Sequence, residues 1–159
     1  MQDDTRYTVR DISSDCLHIL LADDDEDDRM FFTDAVNELS IPTSIQTVND
    51  GEQLMKQLMI RKEHLPDLLF LDLNMPLKNG FECLSAIKAH EKLNSLPVII
   101  YSTSLDQEVV NILYEKGAYH YIRKPGDYSA LKKVLMKALT TIQDKNNVQP
   151  NRQNFVIQV

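Results

Sequence analysis

Six acidic residues follow one another without a break, Asp23 to Asp28, directly after the apolar run Leu17 to Ala22. Three more polar groups stand in the same relation to later apolar runs. Asp72 closes "LLFLD", Ser102 closes "VIIYS" with Thr103 and Ser104 behind it, and Lys124 closes "AYHYIRK". If Asp23, Asp24 and Asp72 meet, three ionised carboxylates repel by roughly 4 kcal/mol per pair near a protein surface. Without a cation one of them is expected to hold its proton more tightly. A divalent ion resolves the conflict. Oxygen ligands with no paired Cys or His select a hard metal, Mg²⁺ or Mn²⁺ before Zn²⁺. Such a site keeps waters and an open position that suits a phosphoryl oxygen. A carboxylate oxygen of Asp72 is then placed as a nucleophile, with Lys124 balancing the charge on the transferring group and Ser102 hydrogen-bonding it.

The remaining acids have a simpler reading. Asp25, Glu26, Asp27 and Asp28 fall in the first turn of a helix, where negative charge complements the dipole. An EF-hand loop fails for want of Gly at its sixth position and Glu at its twelfth. There is no P-loop and no GxGxxG. The four histidines are scattered and read as structural or solvated.

These groups need a scaffold that brings strand ends together. Apolar runs at Leu17–Ala22, Thr43–Val48, 68–71, 98–101 and around "AYHYIRK" alternate with helical patterns at 27–39, 52–61, 81–90, 107–116 and 128–142. Strict βα alternation implies a parallel sheet with right-handed crossovers and helices on both faces. The uniformly apolar central strands agree, being covered on both sides. Ligands of open parallel sheets bind beyond the carboxyl ends of the strands, which is where the polar residues fall. The second strand offers only "NDG" and is placed at the edge.

Bulk properties set the remaining bounds. The chain has 159 residues, 43% of them hydrophobic, and a formal net charge of -7. One domain with a tail is expected, and nucleic acid is not expected as a partner. Cys16 and Cys83 lie far apart and read as reduced thiols. No apolar leader or membrane-length stretch is seen, so a cytoplasmic protein with no membrane contact is expected. Residues 1–16 read as an extension, 17–142 as the domain and 143–159 as a tail. The tail turns polar and then closes with "NFVIQV". It either adds a strand to a sheet edge, its own or a neighbour's, or floats free. Phe31 and Phe32 leave a second choice open: a wide core stripe, or one ring exposed to help dock a partner.

The motifs "LLADDD", "LFLDLNMPLKNG", "VIIYSTS" and "YHYIRKP", in this order and spacing, resemble the receiver domain of two-component response regulators. The single-domain type that partners phytochrome-like kinases is the most similar. The resemblance implies a flavodoxin-like (βα)5 doubly wound sheet with strand order 2-1-3-4-5. It implies Asp72 as phosphoacceptor, and Mg²⁺ (or Mn²⁺) held by Asp23, Asp24, Asp72 and the Asn74 main-chain carbonyl. Ser102 and Lys124 would bind the phosphoryl group and Tyr121 would be the aromatic switch. Asn74 and Ser104 sit where the family tunes phosphoryl lifetime. A cis Lys124–Pro125 bond is implied as well.

The implied role is signalling, not turnover. A histidine kinase or a phosphotransfer protein would supply the group, and the face of the fourth helix, fifth strand and last helix would carry the output. That face and the tail are the two surfaces through which a homodimer is implied. No DNA-binding output domain is expected. Gly126-Asp127 departs from the family's common Phe and is expected to loosen the start of the last helix. Two rivals share some residues. A phosphohydrolase needs a second acid or base, but Asp72-Leu73-Asn74 puts an amide there. A pseudo-receiver would not keep Asp23, Asp24, Asp72, Ser102 and Lys124 together.

Overall fold

In a computed structural model the structure describes residues 16–61, 64–143 and 148–158. The expected extension, residues 1–16, lies outside the described residues apart from Cys16. Five βα units follow in order. They are β1 (Leu17–Ala22), α1 (Glu26–Asn37), β2 (Thr43–Val48), α2 (Gly51–Ile60), β3 (Leu68–Leu71), α3 (Gly80–Ala89), β4 (Val98–Ser102), α4 (Gln107–Glu115), β5 (His120–Arg123) and α5 (Tyr128–Gln143). A 3-10 turn at Arg152–Asn154 leads into β6 (Val156–Ile157). The sheet order is β2-β1-β3-β4-β5-β6, with every pair parallel. This is the flavodoxin-like order 2-1-3-4-5 with one strand added beyond β5.

Successive side chains of a strand point to opposite faces, so a strand covered twice must be apolar at every position. Leu68 and Phe70 of β3 pack with α1 and α5, while Leu69 and Leu71 pack with α2, α3 and α4. β4 divides in the same way, Ile99 and Tyr101 against Val98 and Ile100. On the α1–α5 side Phe32 meets the edges of Phe70 and Tyr101, with centroids 4.8 Å and 5.6 Å away. Edge-to-face pairs of this kind add about 0.5–1.5 kcal/mol each beyond their buried area.

Four helices start on a capping side chain. Asp25, Asp50 and Asp106 accept amide protons from the first turns of α1, α2 and α4, and Asn79 with Glu82 forms a capping box on α3. α4 ends at Gly117, whose φ of 96° lets the Gly117 and Ala118 amides return to Tyr114 and Leu113. α5 follows Gly126 and is capped as well. The Asp127 carboxylate accepts from the Ala130 amide at 3.3 Å, a capping contact that the missing Phe leaves intact.

The tail takes the first of its two alternatives, on its own sheet. Tyr121 pairs with Val156 and Ile122 with Ile157. Phe155 is fully buried and meets the edge of Tyr114 at 5.1 Å. Gln149 donates to the Tyr114 and Ala118 carbonyls, and Arg152 binds Asn111 and Glu115. Apolar contact at Phe155 and polar anchors on α4 together fix a segment whose strand is only two residues long.

Candidate functional site

The loops after β1, β3, β4 and β5 bring their polar residues to one end of the sheet. Asp23 and Asp72 are buried, Asp24 is exposed, and one carboxylate oxygen from each lies within 4.8 Å of the others. Two features fix Asp23. Its Oδ1 accepts from the Asp25 amide at 3.0 Å, and its carbonyl accepts from Arg29 at 2.9 Å. Asp72 stands at the end of β3, with Oδ1 accepting from the Asn74 amide at 3.4 Å. Gly80 lets the following loop fold back here, since a Cβ on it would lie 2.5 Å from the Asp72 carbonyl oxygen.

Lys124 closes the site from β5. Its ammonium lies 2.8 Å from Asp23 Oδ2, 2.7 Å from Asp28 Oδ2 and 3.8 Å from Asp72 Oδ2. It also sits 5.2 Å above the Tyr101 ring. The Lys124–Pro125 bond is trans, with no cis peptide among the described residues. This corrects the expected cis bond. Trans is the intrinsically favoured isomer, and with it Lys124 already reaches the carboxylates while its amide donates to the Ser102 carbonyl at 2.7 Å.

Burial raises the pKa of Asp72 to about 6; Lys124 opposes the rise, and Asp23 and Asp24 add to it. Burial also raises Asp23, against the pull of Lys124 and the Asp25 amide. Burial alone would lower Lys124, but its contacts with Asp23 and Asp28 outweigh that and leave it raised. Asp23 is fully buried, and its Oδ2 faces the Lys124 ammonium at 2.8 Å. An all-oxygen donor set fits a hard divalent cation.

Ser104 is hydrogen-bonded to both Ser102 and Tyr121. The Ser104 amide and hydroxyl each stand 3.4 Å from the Ser102 hydroxyl oxygen. The Ser104 carbonyl accepts from the buried Tyr121 hydroxyl at 2.6 Å. The Tyr121 ring is therefore already turned inward.

Sequence reasoning missed Asp28. The sequence reading puts it among the ordinary first-turn acids, yet its carboxylate accepts from Lys124. A signal existed: Asp28 and Phe32 are four apart, so an acid shares the helix face of a core aromatic. The adjacent phenylalanines divide sharply. Phe32 is 0% exposed and Phe31 is 55% exposed, next to Asp28, Tyr101 and Lys124 around one small hollow.

A profile of the response regulator receiver domain matches residues 19–136. The chain belongs to the receiver domain family of response regulators. Response regulator Rcp1 of Synechocystis is 30% identical to this receiver over 120 or so residues, covering 74% of this chain and 82% of Rcp1. The probable C4-dicarboxylate response regulator DctR of Bacillus subtilis is 33% identical over 75% of this chain, but this receiver spans only 50% of DctR's length. Among solved structures, the phosphorylated cyanobacterial phytochrome response regulator RcpA aligns with TM-score 0.72 and 29% identity, covering 85% of this chain and 99% of RcpA. The Mn(2+)-bound form of Rcp1 aligns with TM-score 0.70 and 26% identity, over 84% of this chain and 99% of its own. No helix among the described residues of this receiver is long and apolar enough to cross a membrane.

Proposed function

We propose that this receiver accepts a phosphoryl group from a phosphohistidine onto Asp72 and changes a protein-binding face in response. The observation that carries this reading is the meeting of Asp72 with Asp23, Asp24 and the Lys124 ammonium at one end of the sheet. An Asp72 oxygen attacks phosphorus as the P–N bond of the donor histidine breaks, and the imidazole leaves with the electron pair. With a pKa of about 6, Asp72 is mostly ionised at neutral pH and can act as the nucleophile.

Mg²⁺, or Mn²⁺ in its place, would be held by Asp23, Asp24, Asp72 and the Asn74 carbonyl, and would offset charge on the carboxylates and the phosphoryl oxygens. Lys124 and Ser102 bind the phosphoryl oxygens, and Asn74 and Ser104 set how long the group survives. Motion of Ser102 reaches Tyr121 through Ser104, and so the face formed by α4, β5 and α5. Chemistry beyond this self-modification is not part of the role.

The donor is a histidine kinase or a phosphotransfer protein, and the place of action is the cytoplasm. Phe31, exposed beside Lys124, gives such a donor an apolar foothold at the rim of an acidic site. A second copy of the chain would pack on the α4–β5–α5 side through the tail strand β6, which covers the β5 edge and where Met136, Val156 and Ile157 stay partly exposed. Residues 17–142 form the receiver, flanked by an extension and a tail.

Intact mass after incubation with acetyl phosphate tests the central step. A single Mg²⁺-dependent phosphoryl adduct is expected on the wild type and none on Asp72→Asn. A wild type that takes no adduct while folded removes this reading and leaves a binding module with vestigial acids.

A further inference from the structure

Lys124 has a partner that belongs to neither the metal site nor the phosphoryl site. Asp28 Oδ2 accepts from its ammonium at 2.7 Å, against 3.8 Å to Asp72. The contact joins residues 96 apart in sequence, from the first turn of α1 to the residue that follows β5. Asp28 is held in place for it. Its amide donates to the Asp25 cap at 3.0 Å, and Phe32 one turn later is locked between Phe70 and Tyr101. The Tyr101 ring supports the ammonium from below.

A cation bound by Asp23, Asp24 and Asp72 would neutralise the hold that Asp23 has on Lys124. Asp28 lies outside that cluster and keeps its charge. The ammonium would then have two claimants, Asp28 and whatever anion forms on Asp72. A phosphoryl group brings about 1.5 to 2 negative charges at neutral pH, enough to win the contest, but only after the bond to Asp28 breaks.

We propose that Asp28 is a positioning residue that holds Lys124 in the resting state and competes with the phosphoryl group for it. It thereby sets the balance between the resting and switched forms. This rests on the reading of Asp72 as phosphoacceptor and Lys124 as its partner. Removing Asp28 should favour the switched form, whereas a residue that merely built the site would weaken it when removed.

The probe is beryllium trifluoride, which occupies a phosphoryl position without a covalent bond, with Mg²⁺ present. Its affinity is read by fluorine NMR, and Mg²⁺ affinity separately by calorimetry. Asp28→Asn should bind beryllium trifluoride about two- to fivefold more tightly, the range expected for releasing a partly exposed ion pair. Asp28→Glu should return toward wild type. Loss of one negative charge anywhere nearby would also favour an anion, so the same change is made in a Lys124→Ala background. If Asp28 acts through Lys124, its substitution there has no further effect; a gain that persists overturns the proposal. Unchanged or weaker binding by Asp28→Asn overturns it too, and leaves the phosphoacceptor reading standing if the wild type still takes a phosphoryl adduct. A wild type that takes neither adduct nor beryllium trifluoride removes both.

Discussion

The Tyr121 amide donates to the Phe155 carbonyl at 3.0 Å, joining the middle of β5 to the entry of β6. Both side chains are fully buried in the same cluster. Phe155→Ala should therefore lower stability by about 3 kcal/mol, the lower end for truncating a buried aromatic. The Tyr121 amide should lose hydrogen-exchange protection at the same time. Loss of stability with that amide still protected would mean that β6 stays docked without its anchor.

Asp72 supplies a pH signature. Its folded pKa of about 6 exceeds the ordinary carboxyl value of 3.8, so between these values the folded state binds more protons than the unfolded state. Its contribution to stability is full below about pH 4 and is lost as pH rises through about 6. Asp72→Asn removes this loss, and in chelator-treated protein it should be about 2 kcal/mol more stable than wild type at pH 8, with the gap closing toward pH 4. Urea melts at several pH values give the comparison. Adding Mg²⁺ should stabilise the wild type more than the variant, which keeps Asp23, Asp24 and the Asn74 carbonyl.

His120 acts with the opposite sign. Burial lowers its pKa, partly offset by the carbonyls of Phe155 and Asn154. Its Nδ1 lies 2.9 Å from the Phe155 carbonyl oxygen, while Nε2 is buried without a hydrogen bond. The unfolded chain takes the proton first, so this residue withdraws stability as pH falls below its free value of about 6.5. Proton NMR should place the His120 midpoint below those of exposed histidines. A midpoint at or above theirs would contradict the burial argument.

Leu77 is the single non-glycine residue with positive φ among the described residues, at 70°. It centres a tight turn in which the Lys78 amide donates to the Pro76 carbonyl at 2.7 Å. Its side chain is 71% exposed, so no packing compensates for the backbone. Leu77→Gly should raise stability by about 1 kcal/mol, since Gly enters this strained γ-turn without a Cβ. An unchanged denaturation midpoint would place the strain elsewhere.

Strands β3 and β4 could be read from sequence because double coverage keeps them apolar, β1 because His18 alone interrupts its apolar run, and the acidic cluster because Asp23, Asp24 and Asp72 directly follow strand ends. Asp28 was hidden for the opposite reason. An acid in a first helical turn is already explained by the dipole, and nothing local points to a lysine 96 residues away. β6 was only half legible. Two strand residues carry little pattern, and what fixes them is Phe155 in a pocket made by α4 and β5. The isomer of the Lys124–Pro125 bond has no sequence signal beyond resemblance.

Ser104 reaches Tyr121 through its carbonyl and Ser102 partly through its amide. Those groups are present whatever side chain stands at position 104. A message carried by peptide units would be silent in an alanine scan read at Tyr121, even where the same substitution changes how long a phosphoryl group survives. It would surface only when the main chain itself is altered, by proline or by a residue inserted into the loop.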